Sequence, residues 1–195
     1  MSHPILAAPT RESWLNQALE HWDEVLLDHA HCEKKAASSA LGFLFRYPEH
    51  ASWMRIFSEL AREELRHFEQ VLRRLDERGI SFVRQVPSQY APQLIRQCSK
   101  DEPERKLDLL LCSALIEARS CERMGILAEA LRDTDPPLAQ FYRGLLACEA
   151  RHYETYISMA NEVFDPKKVK SRLNELAAHE ASILAAEGER VRLHS

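Results

Sequence analysis

The stretches Glu64-Leu-Arg-His67 and Glu149-Ala-Arg-His152 decide the fold of this chain. Each is a Glu-x-x-His pair. Three residues along an α-helix turn the chain by about 300° and raise it by roughly 4.5 Å, so both side chains leave one face. A further glutamate precedes each pair: Glu33 lies 31 residues before Glu64, and Glu117 lies 32 residues before Glu149. The chain therefore contains the same pattern twice.

Four long stretches have apolar residues at helical spacing, and each predicts one helix. The first runs without interruption from Leu15 to Leu44 and has Glu33 in the middle of its apolar stripe. In the same way, the second stripe contains the Glu64/His67 pair, the third contains Glu117 and the fourth contains the Glu149/His152 pair. Pro48, Gly79 and the segment Asp133–Pro137 supply the stops between consecutive helices.

The segment from 80 to 104 is interrupted by three prolines and predicts a long crossover with one short helix near residues 91–98. Two helical hairpins joined by one long connection are typical of the ferritin-like four-helix bundle. We therefore expect an all-α chain forming a single domain over residues 1–195. The bundle occupies about 11–164, and an added C-terminal helix occupies about 167–190.

Four inward-facing carboxylates need cations, because an isolated buried carboxylate costs several kcal/mol. Two divalent metals satisfy four carboxylates and two neutral imidazoles, as in the di-iron and di-manganese bundles. Glu64 and Glu149 are predicted to bridge the two metals, and His67 and His152 are predicted to bind one metal each. Glu33 and Glu117 are the predicted terminal carboxylates. Oxygen and nitrogen donors without thiolate suit iron or manganese better than structural zinc.

Each part of the pattern also has a simpler interpretation. A single Glu-x-x-His pair is often a surface pair, and a glutamate in an apolar stripe often reaches water from a helix edge. His29, one turn before Glu33, is either a residue that supports a ligand or a hydrogen-bonded core histidine. Cys32 and Cys148, each next to a predicted ligand, fit small filler at the core edge better than a redox role. Arg66 and Arg151 either pair with carboxylates or are solvated.

Composition limits the classes of function. The net charge of −4 gives no overall basic signal, so a nucleic acid would have to meet a local patch. The five cysteines form no Cys-x-x-Cys, which fits a reducing cytoplasm. The first residues lack a secretory signal pattern, and no apolar run approaches the ~20 residues that span a bilayer. We expect a cytoplasmic protein with no membrane association.

The residues around the pattern resemble the tRNA 2-methylthio-isopentenyladenosine hydroxylase family of the ferritin-like diiron superfamily. The resemblance covers about residues 10–190. It rests on Asp28-His-Ala-His-Cys-Glu-Lys-Lys-Ala-Ala37, Glu63-Glu-Leu-Arg-His-Phe68, Leu115-Ile-Glu-Ala-Arg-Ser-Cys-Glu-Arg123 and Cys148-Glu-Ala-Arg-His-Tyr153. It implies a monooxygenase that hydroxylates the isopentenyl group of a modified adenosine next to the anticodon. The enzyme would use two irons, O2 and electrons from a partner reductase. The six residues named above match the family's iron ligands.

Two basic clusters are candidates for contact with tRNA phosphates, namely Lys167–Arg172 and the arginines at 62, 66, 73, 74 and 78. A solvated face balanced by nearby acidic residues is an equally simple interpretation of the second cluster. Two other functions are also compatible with the ligand pattern or with the predicted helices. One is an iron-storage or peroxide-scavenging ferritin-like protein, and the other is a non-catalytic helical interaction protein. The sequence leaves the oligomeric state open between monomer and dimer.

Overall fold

A computed structural model describes residues 4–186 and 190–195. Every regular element in those residues is a helix, so the predicted all-α class is confirmed. In chain order the seven helices are α1 (Glu12–Glu20), α2 (Trp22–Arg46), α3 (Ala51–Asp76), α4 (Tyr90–Ile95), α5 (Glu104–Ala130), α6 (Pro136–Val163) and α7 (Pro166–Ala185).

The chain divides into two compact units, each of which contains one long helical hairpin. The first-hairpin unit covers residues 18–87, and the second-hairpin unit covers the described parts of 1–17 and 88–195. The prediction of one domain over 1–195 stays a prediction.

In the first-hairpin unit, α2 packs against α3. The aromatic rings of Phe43 and Phe57 stack with centroids 4.6 Å apart, and Trp53 is fully buried beside them. The helix α3 ends at Asp76, and the predicted stop residue, Gly79, lies in the turn that follows it. This glycine takes a φ of +67°, and the N–H of the following Ile80 donates to the carbonyl of Leu75 at 3.0 Å. A left-handed glycine with this bond is a common way to end a helix.

In the second-hairpin unit, α5 packs against α6, and α7 packs against α4 and α5. The turn predicted at 133–137 is present because Asp135 caps α6: its side chain accepts from the N–H of Leu138 at 3.0 Å, and prolines follow at the first helical positions. Asp165 caps α7 in the same way, accepting from the N–H of Lys167 at 2.8 Å.

Two predicted boundaries differ from the structure. The stripe from Leu15 to Leu44 is not one helix, because the backbone of His21 leaves the helical region at φ −120° and ψ 42°. Asp23 and Glu24 then occupy the first turn of α2, where acidic side chains are favoured. The added helix predicted at 167–190 ends at Ala185, since Ala186 is extended. Residues 187–189 of that prediction lie outside the described residues.

The short helix predicted near 91–98 is present as α4, Tyr90–Ile95. Across residues 4–186 and 190–195, no helix is both long and apolar enough to cross a membrane.

Candidate metal centre

The first-hairpin unit brings three of the predicted ligands together. Glu33 lies on α2, and Glu64 and His67 lie one turn apart on α3. One potential ligand atom from each of the three residues lies within 4.8 Å of the others. The Nδ1 atom of His67 is 3.7 Å from a carboxylate oxygen of Glu33 and 3.7 Å from one of Glu64. These side chains therefore form a candidate set of metal ligands within this unit.

The second-hairpin unit contains the corresponding three residues. Glu117 lies on α5, and Glu149 and His152 lie one turn apart on α6. Glu117 and His152 each offer a ligand atom within 4.8 Å of the other. Glu149 leaves α6 on the same face as His152, because three residues separate them on a helix. This unit therefore carries a second Glu, Glu, His set with the same composition.

All six side chains are buried, between 1 % and 5 % exposed. Two buried carboxylates in each unit face a strong desolvation cost, and a neutral imidazole does not compensate their charge. A divalent cation does compensate it, and its preferred donors include carboxylate oxygen and imidazole nitrogen. The donors, their proximity and their burial therefore fit a metal ion.

The surroundings of Glu33 show how one carboxylate is held. The Nε2 atom of His29 lies 2.5 Å from Oε1 of Glu33, and His29 is fully buried. His29 is thus both a hydrogen-bonded core residue and a direct support for a predicted ligand. Such support fixes the orientation of ligands at many metal sites.

The cysteines next to the ligands stay outside the donor sets proposed from sequence. The Sγ atom of Cys32 is 3.7 Å from a carboxylate oxygen of Asp28, and burial raises the pKa of the Cys32 thiol well above its usual value. Cys148 offers its sulfur within 4.8 Å of a nitrogen of His152, but it is only half-buried and accepts from the guanidinium of Arg151 at 2.9 Å. Arg151 itself is exposed.

A buried ion network on α5 was missed at the sequence level. Arg119 is fully buried and donates to both carboxylate oxygens of Glu180 on α7, each at 2.9 Å. It also donates to Glu122 and, at 2.9 Å, to the carbonyl oxygen of Ala8. Two of these partners, Glu180 and Ala8, lie more than 60 residues from Arg119 in sequence. A local sequence pattern therefore does not predict their contact with Arg119. The sequence feature that could have indicated a buried role for Arg119 is its position two residues after Glu117, within the motif quoted above.

The phenol of Tyr90 completes this network. Its hydroxyl donates to Oε1 of Glu180 at 2.9 Å. Burial, together with the negative charge of Glu180, holds the pKa of Tyr90 well above its usual value. The phenol therefore stays protonated and keeps donating to the carboxylate. The network ties α5, which carries Glu117, to α4 and α7.

The helical fold and the two buried Glu, Glu, His sets are those of a class of protein, the ferritin-like oxygenases. A solved structure described as "Protein 43 with aldehyde deformylating oxygenase activity", from Synechococcus, superposes with a TM-score of 0.93. It shares 45 % sequence identity over 97 % of this chain and 95 % of that chain. The expected ferritin-like fold class is thereby confirmed.

Within that class, the chain matches the tRNA-(ms2io6A)-hydroxylase family, MiaE, over residues 1–195. A relative from Pseudomonas putida, named tRNA 2-(methylsulfanyl)-N(6)-isopentenyladenosine(37) hydroxylase, is 38 % identical over 98 % of this chain and 92 % of its own length. A relative of the same name from Salmonella typhimurium is 29 % identical over 98 % of this chain and 87 % of its own length. The chain belongs to the MiaE family, and the predicted resemblance is confirmed.

Proposed function

We propose that this chain is an O2-dependent hydroxylase of the isopentenyl side chain of 2-methylthio-isopentenyladenosine, next to the anticodon in tRNA. The observation that carries the proposal is the family match over the whole length of a chain whose two hairpins each hold a buried Glu, Glu, His set. One C–H bond is replaced by C–OH, and O2, two electrons and two protons supply the inserted oxygen atom and one water. The electrons come from a partner reductase.

The proposed metal ligands are the two Glu, Glu, His sets, one in each unit. Glu33, Glu64 and His67 of the first-hairpin unit and Glu117, Glu149 and His152 of the second-hairpin unit would hold the irons, with two carboxylates and one imidazole from each unit. When bound, an iron pair supplies the reduction of O2 that hydroxylation of an unactivated carbon requires. The four carboxylates balance the charge of two divalent ions, and the burial of all six side chains keeps bulk water from the ligands.

His29 has a positioning role in this proposal. Its contact of 2.5 Å with Oε1 of Glu33 restricts the rotation of that carboxylate, so the other oxygen, which faces His67 at 3.7 Å, keeps its direction. No other side chain is needed as a separate acid or base. The partners are tRNA and an electron donor in the cytoplasm, and the protein acts as a monomer or dimer.

A single-turnover assay tests the proposal. The protein is loaded with Fe(II), reduced chemically, and mixed with O2 and tRNA that carries the isopentenyl modification. The tRNA is then digested to nucleosides, which are separated and analysed by mass spectrometry. We expect a gain of one oxygen atom on the modified adenosine, abolished in Glu149→Ala. The control is Glu154→Ala, which removes an exposed glutamate from the same helix and should leave the product unchanged.

Four results would point elsewhere. Removal of the formyl group from an aldehyde, with tRNA left unchanged, would assign the activity named for the Synechococcus protein. Slow accumulation of many irons per chain in a large assembly would assign storage, and rapid consumption of peroxide without product would assign scavenging. Protein that binds no iron would leave the two Glu, Glu, His sets as polar core residues.

A further inference from the structure

Four arginines form a straight row along α3. Arg55, Arg62, Arg66 and Arg73 are separated by 7, 4 and 7 residues. At about 100° per residue, these spacings place all four within about 20° of one line, and the row extends over about 27 Å. Glu64 and His67 leave the helix on the opposite side, about 180° and 120° from this line. We call these four residues the arginine row.

The arginine row is exposed and poorly neutralised. All four side chains are exposed. Arg62 donates to the hydroxyl of Ser58 at 2.7 Å, and Arg66 lies 3.5 Å from Glu63. Within the described chain, Arg55 and Arg73 form no ion pair. The acidic residues nearest the line are Glu59 and Glu69, each about 40° from it, and neither forms an ion pair with the row in the part that the structure describes.

Four of the other basic residues considered from sequence have acidic partners, whereas Lys167 and Lys170 on α7 are exposed. On α7, Lys168 lies 2.7 Å from Glu104, and Arg172 forms a pair of hydrogen bonds with Asp108, the shorter at 2.7 Å. On α3, Arg74 lies 2.8 Å from Glu77, which also faces Arg78 at 3.9 Å. The five arginines predicted as one cluster on and after α3 therefore fall into two groups. Arg62 and Arg73 form no ion pair in the described chain, and Arg66 is exposed with a contact of 3.5 Å to Glu63. Arg74 and Arg78 are less exposed, and both lie near Glu77.

We infer that the arginine row is a docking surface for the tRNA backbone, an inference that rests on the proposed function. Phosphates in a nucleic acid repeat along a line, and guanidinium groups bind them with two parallel hydrogen bonds. A straight row of four guanidinium groups fits such a partner better than a compact acidic protein patch. Because the row faces away from Glu64, it contacts the backbone and does not bind the reacting nucleoside.

Binding of fluorescently labelled tRNA at several salt concentrations tests this inference without any metal. The test variants are Arg62→Gln/Arg66→Gln and the same change at all four positions. The matched control is Arg132→Gln/Arg143→Gln, which removes two exposed arginines outside α3. A further variant, Arg62→Lys/Arg66→Lys, keeps the charge but loses the guanidinium. Circular dichroism and the thermal midpoint establish that each variant is folded.

We expect the double Gln variant to weaken tRNA binding about tenfold at about 0.1 M salt, and the slope of log affinity against log salt to fall by about 1 per arginine removed. The Lys variant should keep most of the salt slope, and the control should match the wild type. In turnover, the row variants should raise KM for tRNA and leave kcat unchanged.

The outcomes separate this inference from the proposed function. If wild-type protein binds no tRNA, both fail. If wild-type protein binds and modifies tRNA, and the row variants bind it as tightly as the control does, the inference fails and the function stands. If the row variants bind tRNA normally but are reduced more slowly by an acidic electron donor, the row is a reductase surface and the inference is overturned.

Discussion

The change Arg119→Met removes a fully buried guanidinium and leaves its carboxylate partners in place. Glu180, itself fully buried, loses two hydrogen bonds of 2.9 Å and keeps the one from Tyr90, also 2.9 Å. Glu122 loses one charged donor as well. An uncompensated buried charge of this kind costs about 3–5 kcal/mol. For a chain of this length, each kcal/mol lowers the thermal midpoint by about 2–4 °C, so a decrease of about 6–20 °C is expected.

Two further variants show whether the cost comes from the unpaired charge. Arg132→Met breaks an exposed ion pair with Glu129, 2.6 Å long, and should cost no more than about 1 kcal/mol. The double variant Arg119→Met/Glu180→Leu removes both charges of the buried pair and should be more stable than Arg119→Met alone, since replacing a whole buried pair is often nearly neutral.

Urea unfolding followed by circular dichroism measures these free energies. The reasoning is refuted if Arg119→Met costs no more than Arg132→Met, or if the double variant is less stable than the single one.

Three other perturbations have clear expected outcomes. Fe(II) at about a hundred times its dissociation constant should stabilise the wild type by about 2.7 kcal/mol in thermal unfolding, reversibly with a chelator; an equal gain in Glu149→Ala would remove that glutamate from the ligand set. Diamide should join Cys98 and Cys112, whose sulfurs lie 3.6 Å apart and need to move to about 2.05 Å, with the loss of two hydrogens seen by mass spectrometry; a bond formed equally in Cys112→Ser would contradict this pairing. Asp135→Ala should lose the cap of α6 and cost about 1 kcal/mol, whereas Asp133→Ala, two residues earlier and exposed, should cost almost nothing; equal costs in urea unfolding would exclude capping as the cause.

The two hairpins were predictable because their signals are local. An apolar stripe records which face of a helix is buried, and Pro48, Gly79 and Asp135 stop or cap helices through their own backbone and side-chain chemistry. The placement of each ligand within its hairpin follows from the same stripes. The choice of iron over manganese does not, because carboxylate and imidazole donors suit both metals.

The features that sequence reasoning missed depend on single dihedral angles or on distant partners. Leu15, Leu19, Trp22 and Leu26 keep helical spacing across the break at His21, so the pattern holds no sign that the backbone changes direction there. A lone arginine such as Arg119 is usually a surface residue in sequence-based reasoning. Its burial requires Glu180, which is 61 residues away on another helix.

The burial of Glu180 has a consequence for the design of deletion experiments. The helix α7 carries the basic run Lys167–Arg172, and its removal is an obvious way to ask whether that run binds RNA. Deleting α7 would also expose Arg119 and take away the acceptor of Tyr90, two contacts on helices that lie before it in the chain. Loss of RNA binding or of activity in a truncated protein would therefore report a damaged scaffold. Single substitutions at exposed positions such as Lys167 and Lys170 ask the question without that confusion.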